Sequence, residues 1–266
     1  MAIKLVAIDI DDTLLNSKHE ITDRTRDALY AAQDKGCTVI LVTGRMYAAA
    51  KRYAKALGLN TPLMTCQGAQ ITDIKTDEVL YSRTVPLELA REVADLCEAR
   101  GLHIQYYIGD NYYYAKEGEP ADYYAALAGF RGIPVGSPVS EKITEEPVKM
   151  LCLDQPDVIL QLQQEMIDHF GGKLAIAISK PRFLEFTHPE AIKGRTVANF
   201  ANQLGIAQEE VMAIGDSFND ITMIQYAGKG VAMGNADARI KAVADEIAPS
   251  NDEDGVAVMI EKYVLA

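Results

Sequence analysis

The sequence predicts an α/β fold with a parallel-sheet core and a large inserted α+β domain. Three observations predict it. Short apolar runs recur near both ends of the chain, each followed by a stretch with helical spacing. The middle changes texture, to strand-like segments with interleaved helices and a hairpin turn. The two outer stretches resemble each other more than either resembles the middle, so the middle reads as an insertion into one discontinuous sheet.

Residues 5–8 (LVAI) read as a core strand. A helix follows, capped by Thr22 and carrying Leu29 and Ala32 before a stop at Gly36. Residues 38–42 form the next strand, which ends in Thr43 and Gly44. MYAAAKRYAKALGL reads as a helix, and TPLMTCQGAQI as a short strand with a glycine turn. This βαβαβ order is that of a Rossmann-like parallel sheet.

After about residue 82, PLELAREVADLCEARG is an amphipathic helix. HIQYYIGDNYYYAK reads as a hairpin turning at Gly109 to Asn111. DYYAALAGF reads as a helix, VKMLCLD as a strand, PDVILQLQQEMIDHFG as a helix, and LAIAIS and FLEFTH as strands. The βα rhythm returns near Lys193 with helix GRTVANFANQLG, strand VMAIGD, helix SFNDITMIQYAG and strand GVAMG. ARIKAVADEIAP and GVAVMIEKYVL read as the final helical pieces. The expected domains are a discontinuous core of residues 1–82 and 190–266 and an inserted domain of 83–189.

Composition narrows the function. Of 266 residues, 48% are hydrophobic, enough for a sizeable core. The formal charge of -12 opposes long-range attraction to nucleic acid or an acidic membrane surface, so neither is an expected partner. It also means that an anionic substrate needs positive charge supplied locally. Cys37, Cys66, Cys97 and Cys152 fit no zinc spacing or disulfide scaffold, and the four histidines are scattered at 19, 103, 169 and 188. The start reads as a strand rather than a signal peptide, and no run approaches membrane-spanning length. The expected location is the cytoplasm.

Ligands of a parallel α/β sheet bind beyond the carboxyl ends of its strands. Polar signals stand at four candidate ends: Asp9-Ile10-Asp11, Thr43-Gly44-Arg45, Lys193-Gly194 and Gly215-Asp216-Ser217. Extended geometry sends Asp9 and Asp11 to the same side, with Asp12 elsewhere or starting the turn. Carboxylates placed together beside a core strand are costly unless something neutralises them. With Asp216 arriving from a distant strand end, they form an oxygen donor set suited to Mg²⁺. The competing reading makes these aspartates helix caps and surface turns.

DIDDTLL, LVTGR, IKG and GDSFND, in this order, resemble the four motifs of the haloacid dehalogenase-like phosphohydrolases. The long insert between the second and third resembles the large cap domain of the Cof-type subgroup. The resemblance spans nearly the whole chain. It implies a Mg²⁺-dependent phosphomonoester hydrolase that acts on small sugar or related metabolite phosphates through an aspartyl-phosphate. By this resemblance Asp9 is the nucleophile, and Asp11 is the general acid/base with its backbone carbonyl on the metal. Thr43 and the Gly44 amide hold phosphate, and Lys193 neutralises Asp9 and the phosphate. The metal set is Asp9, Asp11 and Asp216. Asn219 faces phosphate, Asp220 supports the site from behind, and the backbone of Ile10 and Asp11 helps hold the transferred group. Ser217 reads as a cap or a water-linked neighbour of the metal.

Two positions depart from the pattern. Asp12 stands where many relatives carry Gly, and Gln67-Gly68 stands where the subgroup commonly has Asn-Gly. Two other functions would use similar residues. A phosphomutase would share the covalent intermediate. A non-catalytic phosphoacceptor of the receiver type also gathers acids, a Thr and a Lys around Mg²⁺, though the large insert and GDSFND argue against it. For substrate selection, the tyrosines of YYIGDNYYYAK and Lys116 either stack on a sugar or flavin-like ring or alternate between core and surface. His188 and Glu190 are further candidates for substrate contact.

Overall fold

The structure is a computed structural model and describes residues 2–266. The first elements are β1 (Leu5–Ile8), α1 (Asp23–Asp34), β2 (Thr38–Leu41), α2 (Tyr47–Ala56), β3 (Leu63–Thr65), β4 (Gln70–Thr72) and β5 (Val79–Ser82). Next come α3 (Leu87–Glu98), β6 (His103–Ile108), β7 (Asn111–Tyr114), α4 (Glu119–Ala128) and β8 (Ile133–Pro134). They are followed by β9 (Lys149–Leu153), α5 (Pro156–Phe170), β10 (Ala175–Lys180) and β11 (Phe183–Thr187). The last are α6 (Lys193–Gln203), β12 (Val211–Gly215), α7 (Ile221–Tyr226), β13 (Lys229–Ala232), α8 (Ala238–Lys241), β14 (Glu246–Ile247) and α9 (Gly255–Ile260). The chain forms two compact units. One takes the residues up to Gly44, Ala50–Leu80 and Ile192–Ala266, and the other takes Arg45–Ala49 and Tyr81–Ala191.

The first unit is built on a parallel sheet in the order β14-β13-β12-β1-β2. A bridge from Val42 to Met64 brings the end of β2 alongside β3. Strands β1 and β12 are buried along their whole length, as a strand covered on both faces must be, which explains their unbroken apolar runs. From β1 the chain fills the sheet outward through β2 and later, on the other side, through β12 and β13. The boundary between β1 and β12 is therefore the topological switch point, where such sheets open a crevice. Ile8 pairs with Ile214, so Asp9 and Gly215 leave the sheet side by side with Asp216 next in line.

The Thr22 cap is present: its hydroxyl accepts from the Thr25 amide at 3.2 Å. The expected helix over ARIKAVADEIAP is only partly present. Helix α8 stops at Lys241, and Glu246–Ile247 instead form the edge strand β14. Asp245 accounts for the change. Its amide donates to the Gly230 carbonyl at 2.9 Å, and its carboxylate accepts from the Gly230 amide at 2.7 Å. This exchange pins the chain to β13 in extended form.

The second unit carries a sheet in the order β10-β11-β9-β6-β7-β8, antiparallel except for the β7–β8 pair. Helices α3 and α5 cover one face over a core that includes Val93, Cys97, Ile104, Met150, Leu162 and Phe186. The hairpin tyrosines alternate along β7, where half-buried Tyr113 stands between buried Tyr112 and Tyr114, but none of them is fully exposed. Tyr106, Tyr107, Tyr112 and Tyr114 are all buried. Tyr112 meets Tyr124 of α4 edge-on, with ring centroids 4.8 Å apart, and its hydroxyl donates to the Phe130 carbonyl. These rings bury their faces against one another and satisfy a polar tip, as interior phenols do. Glu190 pairs with Arg83 at 3.0 Å, and the His188 ring accepts from the Glu190 amide.

In the first unit, Gly194 allows α6 to approach α7. A β-carbon there would lie 2.2 Å from the Thr222 carbonyl oxygen. Overpacking against backbone costs about 1–3 kcal/mol. Gly194→Ala should lower unfolding free energy by that amount in a denaturant titration, and an unchanged midpoint would contradict the close approach.

Candidate active site

Asp9 follows β1 directly, and its amide donates to the Ile214 carbonyl at 3.0 Å, which fixes it at the switch point. Ile10 is buried, and its carbonyl accepts from the Leu15 amide. Asp11 keeps extended backbone (φ -74°, ψ 129°) and is half-buried, while Asp12 turns left-handed at φ 58° and faces solvent. Asp12 therefore starts the turn, as expected. The left-handed region favours glycine, so Asp at this position carries some backbone strain.

Lys193 opens α6 and is buried. Its ammonium donates to Asp9 Oδ1 and to Asp220 Oδ1, each at 2.6 Å. Asp220 Oδ2 accepts the amides of Asp216 at 3.1 Å and Ser217 at 2.9 Å. Gly215 permits this return, because a β-carbon on it would stand 2.5 Å from Asp220 Cβ. Asp216 Oδ1 accepts from the Thr13 hydroxyl at 2.8 Å, and Oδ2 accepts from the Ser217 hydroxyl at 2.9 Å. Thr43 is buried at the end of β2. Its amide donates to Met64, and its carbonyl accepts from Gln67. The Asn219 amide group donates to Gln67 Oε1 at 2.8 Å.

The strand ends thus bring Asp9, Lys193, Asp216, Ser217 and Asp220 together. Thr43, Gly44, Gln67 and Asn219 form an adjoining group. Carboxylate oxygens of Asp9, Asp216 and Asp220 lie within 4.8 Å of one another, all three residues buried. Asp11 is not in that trio. The expectation gave its backbone carbonyl, rather than its side chain, to a metal. Asp220 joins the trio although it was expected in a supporting place. Its oxygens are already engaged, one by an ammonium and one by two amides.

Three carboxylates against one ammonium leave two negative charges without a counter-charge inside the site. An oxygen-only set with that deficit fits a hard divalent cation. The electrostatics agree. Burial holds the Asp9 carboxyl well above the usual range. Lys193 draws it back, and Asp220, Asp216 and Asp11 push it further up. Burial and the Asp220 charge push Asp216 up to about 6, against the hydrogen bonds from Thr13 and Ser217. Burial disfavours charge on Lys193, but Asp220 and Asp9 outweigh it and raise its pKa, so the ammonium is retained.

Comparison with known proteins decides the family. The sequence profile of the haloacid dehalogenase-like hydrolases matches residues 6–260. The chain belongs to that family. It is 33% identical over 267 residues to the 5-amino-6-(5-phospho-D-ribitylamino)uracil phosphatase YcsE of Bacillus subtilis, covering 99% of this chain and 96% of that one. A haloacid dehalogenase-like hydrolase from Bacteroides thetaiotaomicron superposes with a TM-score of 0.88 at 31% identity, over 98% of this chain and 99% of its own. A sugar phosphatase of subclass IIB of the family superposes with a TM-score of 0.85 at 26% identity, over 98% of both chains. As a haloacid dehalogenase-like hydrolase, this chain is a phosphatase. Among the described residues, no helix is long and apolar enough to cross a membrane.

Sequence reasoning missed Thr13 and the Gln67–Asn219 pair. Thr13 stands two positions beyond Asp11, close enough in sequence to have been considered. The pairing of two amides 152 residues apart leaves no local pattern.

The raised carboxyls make stability depend on pH. An acid whose folded pKa exceeds its unfolded value stabilises fully below the unfolded value, and that contribution is lost as pH rises through the folded one. For Asp216 the window runs from 3.8 to about 6. In EDTA, urea unfolding should show a gain of about 1 kcal/mol at pH 5 over pH 8 from this group. Asp216→Asn should remove that gain, and millimolar Mg²⁺ should restore stability to the unaltered protein at pH 8. An identical pH dependence in Asp216→Asn would show that the carboxyl is not strained in this way.

Proposed function

We propose that this phosphatase is Mg²⁺-dependent and hydrolyses small sugar or related metabolite phosphates through an aspartyl-phosphate on Asp9. One observation carries the reading. Asp9 is buried at the switch point with Lys193 on Oδ1 and Asp216 beside it, in a site with a net negative charge. A lone buried carboxylate would repel a phosphate. Here an ammonium already offsets that repulsion, and a divalent cation would complete the compensation.

In the first step Asp9 Oδ2 attacks phosphorus, and the bond from phosphorus to the ester oxygen breaks. Asp11 gives its proton to the departing oxygen. In the second step water attacks the phosphoryl group, Asp11 takes the proton, and the Asp9 carboxylate leaves. Two easier displacements replace one hard one. The Thr43 hydroxyl, the Gly44 amide, the backbone at Ile10 and Asp11, and Asn219 hold the equatorial oxygens. Asp220 fixes the Lys193 ammonium through their 2.6 Å contact. Mg²⁺ held by Asp9, Asp216 and the Asp11 carbonyl would neutralise phosphoryl charge as a Lewis acid. The substrate class is supported by two relatives: one is named for a phosphorylated ribitylamino compound, the other as a sugar phosphatase.

The purified protein with Mg²⁺ should release inorganic phosphate from p-nitrophenyl phosphate and from members of a sugar-phosphate panel. Asp9→Asn should lower kcat/KM by roughly 10³-fold or more. Cation affinity measured beside it separates lost attack from lost metal. Phosphate moved between positions without net release would show a mutase, and a folded protein inactive on the whole panel would refute the reading.

A further inference from the structure

Three consecutive residues after β3 occupy the left-handed region: Cys66 at φ 51°, Gln67 at φ 64° and Gly68 at φ 89°. Glycine adopts this backbone freely, but glutamine does so only at a cost. Strained residues persist where the surroundings hold them, and such places are often functional. Here α6 holds the turn. The Thr196 hydroxyl donates to the Gly68 carbonyl at 2.9 Å, and a β-carbon on Gly68 would stand 2.6 Å from that hydroxyl. A Gly or Asn at position 67 would suit the backbone better. The feature particular to Gln67 is a carboxamide on a longer stem.

That carboxamide is buried and spans two strand ends. The Gln67 backbone amide donates to the Thr43 carbonyl at 3.1 Å, and the side-chain Oε1 accepts from the Asn219 Nδ2 at 2.8 Å. The group packs against Gly44, where an added β-carbon would come within 2.5 Å of Nε2. Asn219 Oδ1 is buried with no partner among the described residues. Among the described residues, the Asn219 carboxamide is therefore oriented by its bond to Gln67.

We propose that Gln67 is a positioning residue that fastens Asn219 to the Thr43–Gly44 turn, so that these groups address one phosphoryl group. The inference rests on the reading of Thr43, Gly44 and Asn219 as phosphate-holding groups. Gln67 acts on phosphate through Asn219 and has no part in departure of the leaving group. Its loss therefore affects every phosphomonoester alike.

Gln67→Gly separates this role from a merely structural one, because glycine relieves the backbone strain while removing the carboxamide. The variant should keep its Tm within about 2 °C. Its kcat/KM should fall roughly 10- to 100-fold, equally for p-nitrophenyl phosphate and an alkyl phosphate. Inhibition by inorganic phosphate should weaken by about 10-fold. In an Asn219→Ala background the same change should cost less than about 2-fold, since neighbours in one network are not additive. Gln67→Asn accepts the backbone but is one methylene shorter, and should stay impaired. Full activity in Gln67→Asn or Gln67→Gly, additive losses with Asn219→Ala, or a Tm that falls in step with activity would each overturn the proposal. Unimpaired activity in Asp9→Asn would overturn the underlying mechanism as well, and is read in a separate protein.

Discussion

The buried Lys193 ammonium is the interaction on which the site depends. Its two 2.6 Å contacts reach Asp9, 184 residues away, and Asp220, 27 residues away. Taking a lysine and two aspartates out of water is favourable only if each charge finds its partner, so the pairing imposes strict geometry on three segments. The lysine heads α6, whose approach to α7 needs the absent side chain of Gly194. Asp220 reaches the lysine only because Gly215 clears its path. One ammonium cannot satisfy three carboxylates, however, and the cluster keeps a negative charge that no side chain within it offsets.

Strand register converts this charge arrangement into a site. The pairing of Ile8 with Ile214 sets Asp9 beside Gly215, one residue before Asp216, and brings the Asp9 and Asp216 carboxylates together where the strand order reverses. Beyond that edge the backbone no longer spends its amides on the ladder. Some satisfy the site itself, as when Asp216 and Ser217 donate to Asp220. Both β1 and β12 are buried along their whole length, and close packing around them resists any separation of the strands that would relieve the repulsion between the carboxylates.

Much of this was legible in the sequence, for identifiable reasons. Buried parallel strands must be continuously apolar, so LVAI and VMAIG marked the central pair, and the acids that end them marked the crevice. Lys193 was singled out by the resemblance of IKG to the family's third motif, together with a negative chain's need for local positive charge. Side-chain ties across the sheet were not legible. Asp245 turned an expected helix into the edge strand β14 through two bonds to Gly230, and no periodicity announces such bonds. For the hairpin tyrosines the alternation holds along β7, but the depth of burial could not be read, because α4 brings Tyr124 against Tyr112 and Tyr113 packs half-buried on the other side. Gln67 stood out only as a departure from the usual Asn. Its strained backbone and its bond to Asn219 required the fold.

Asp216 and Asp220 show how position assigns different work to identical side chains four residues apart. Asp220 is fully buried and faces an ammonium and two backbone amides, donors that between them engage both of its oxygens. A carboxylate so held orients its neighbours and has little left to offer a ligand. Asp216 retains 9% exposure, and its side chain accepts from the neutral hydroxyls of Thr13 and Ser217. Hydroxyls fix the direction of a carboxylate without cancelling its charge, so burial and the Asp220 charge still push its pKa up to about 6. Each of its oxygens keeps a further lone pair. An oriented, uncompensated carboxylate at the edge of the cluster is the one a cation can bind with least rearrangement. The order of the acids in GDSFND therefore has a physical meaning: the first keeps its charge and a lone pair on each oxygen, and the second, returning through a tight turn, holds the Lys193 ammonium that also reaches Asp9.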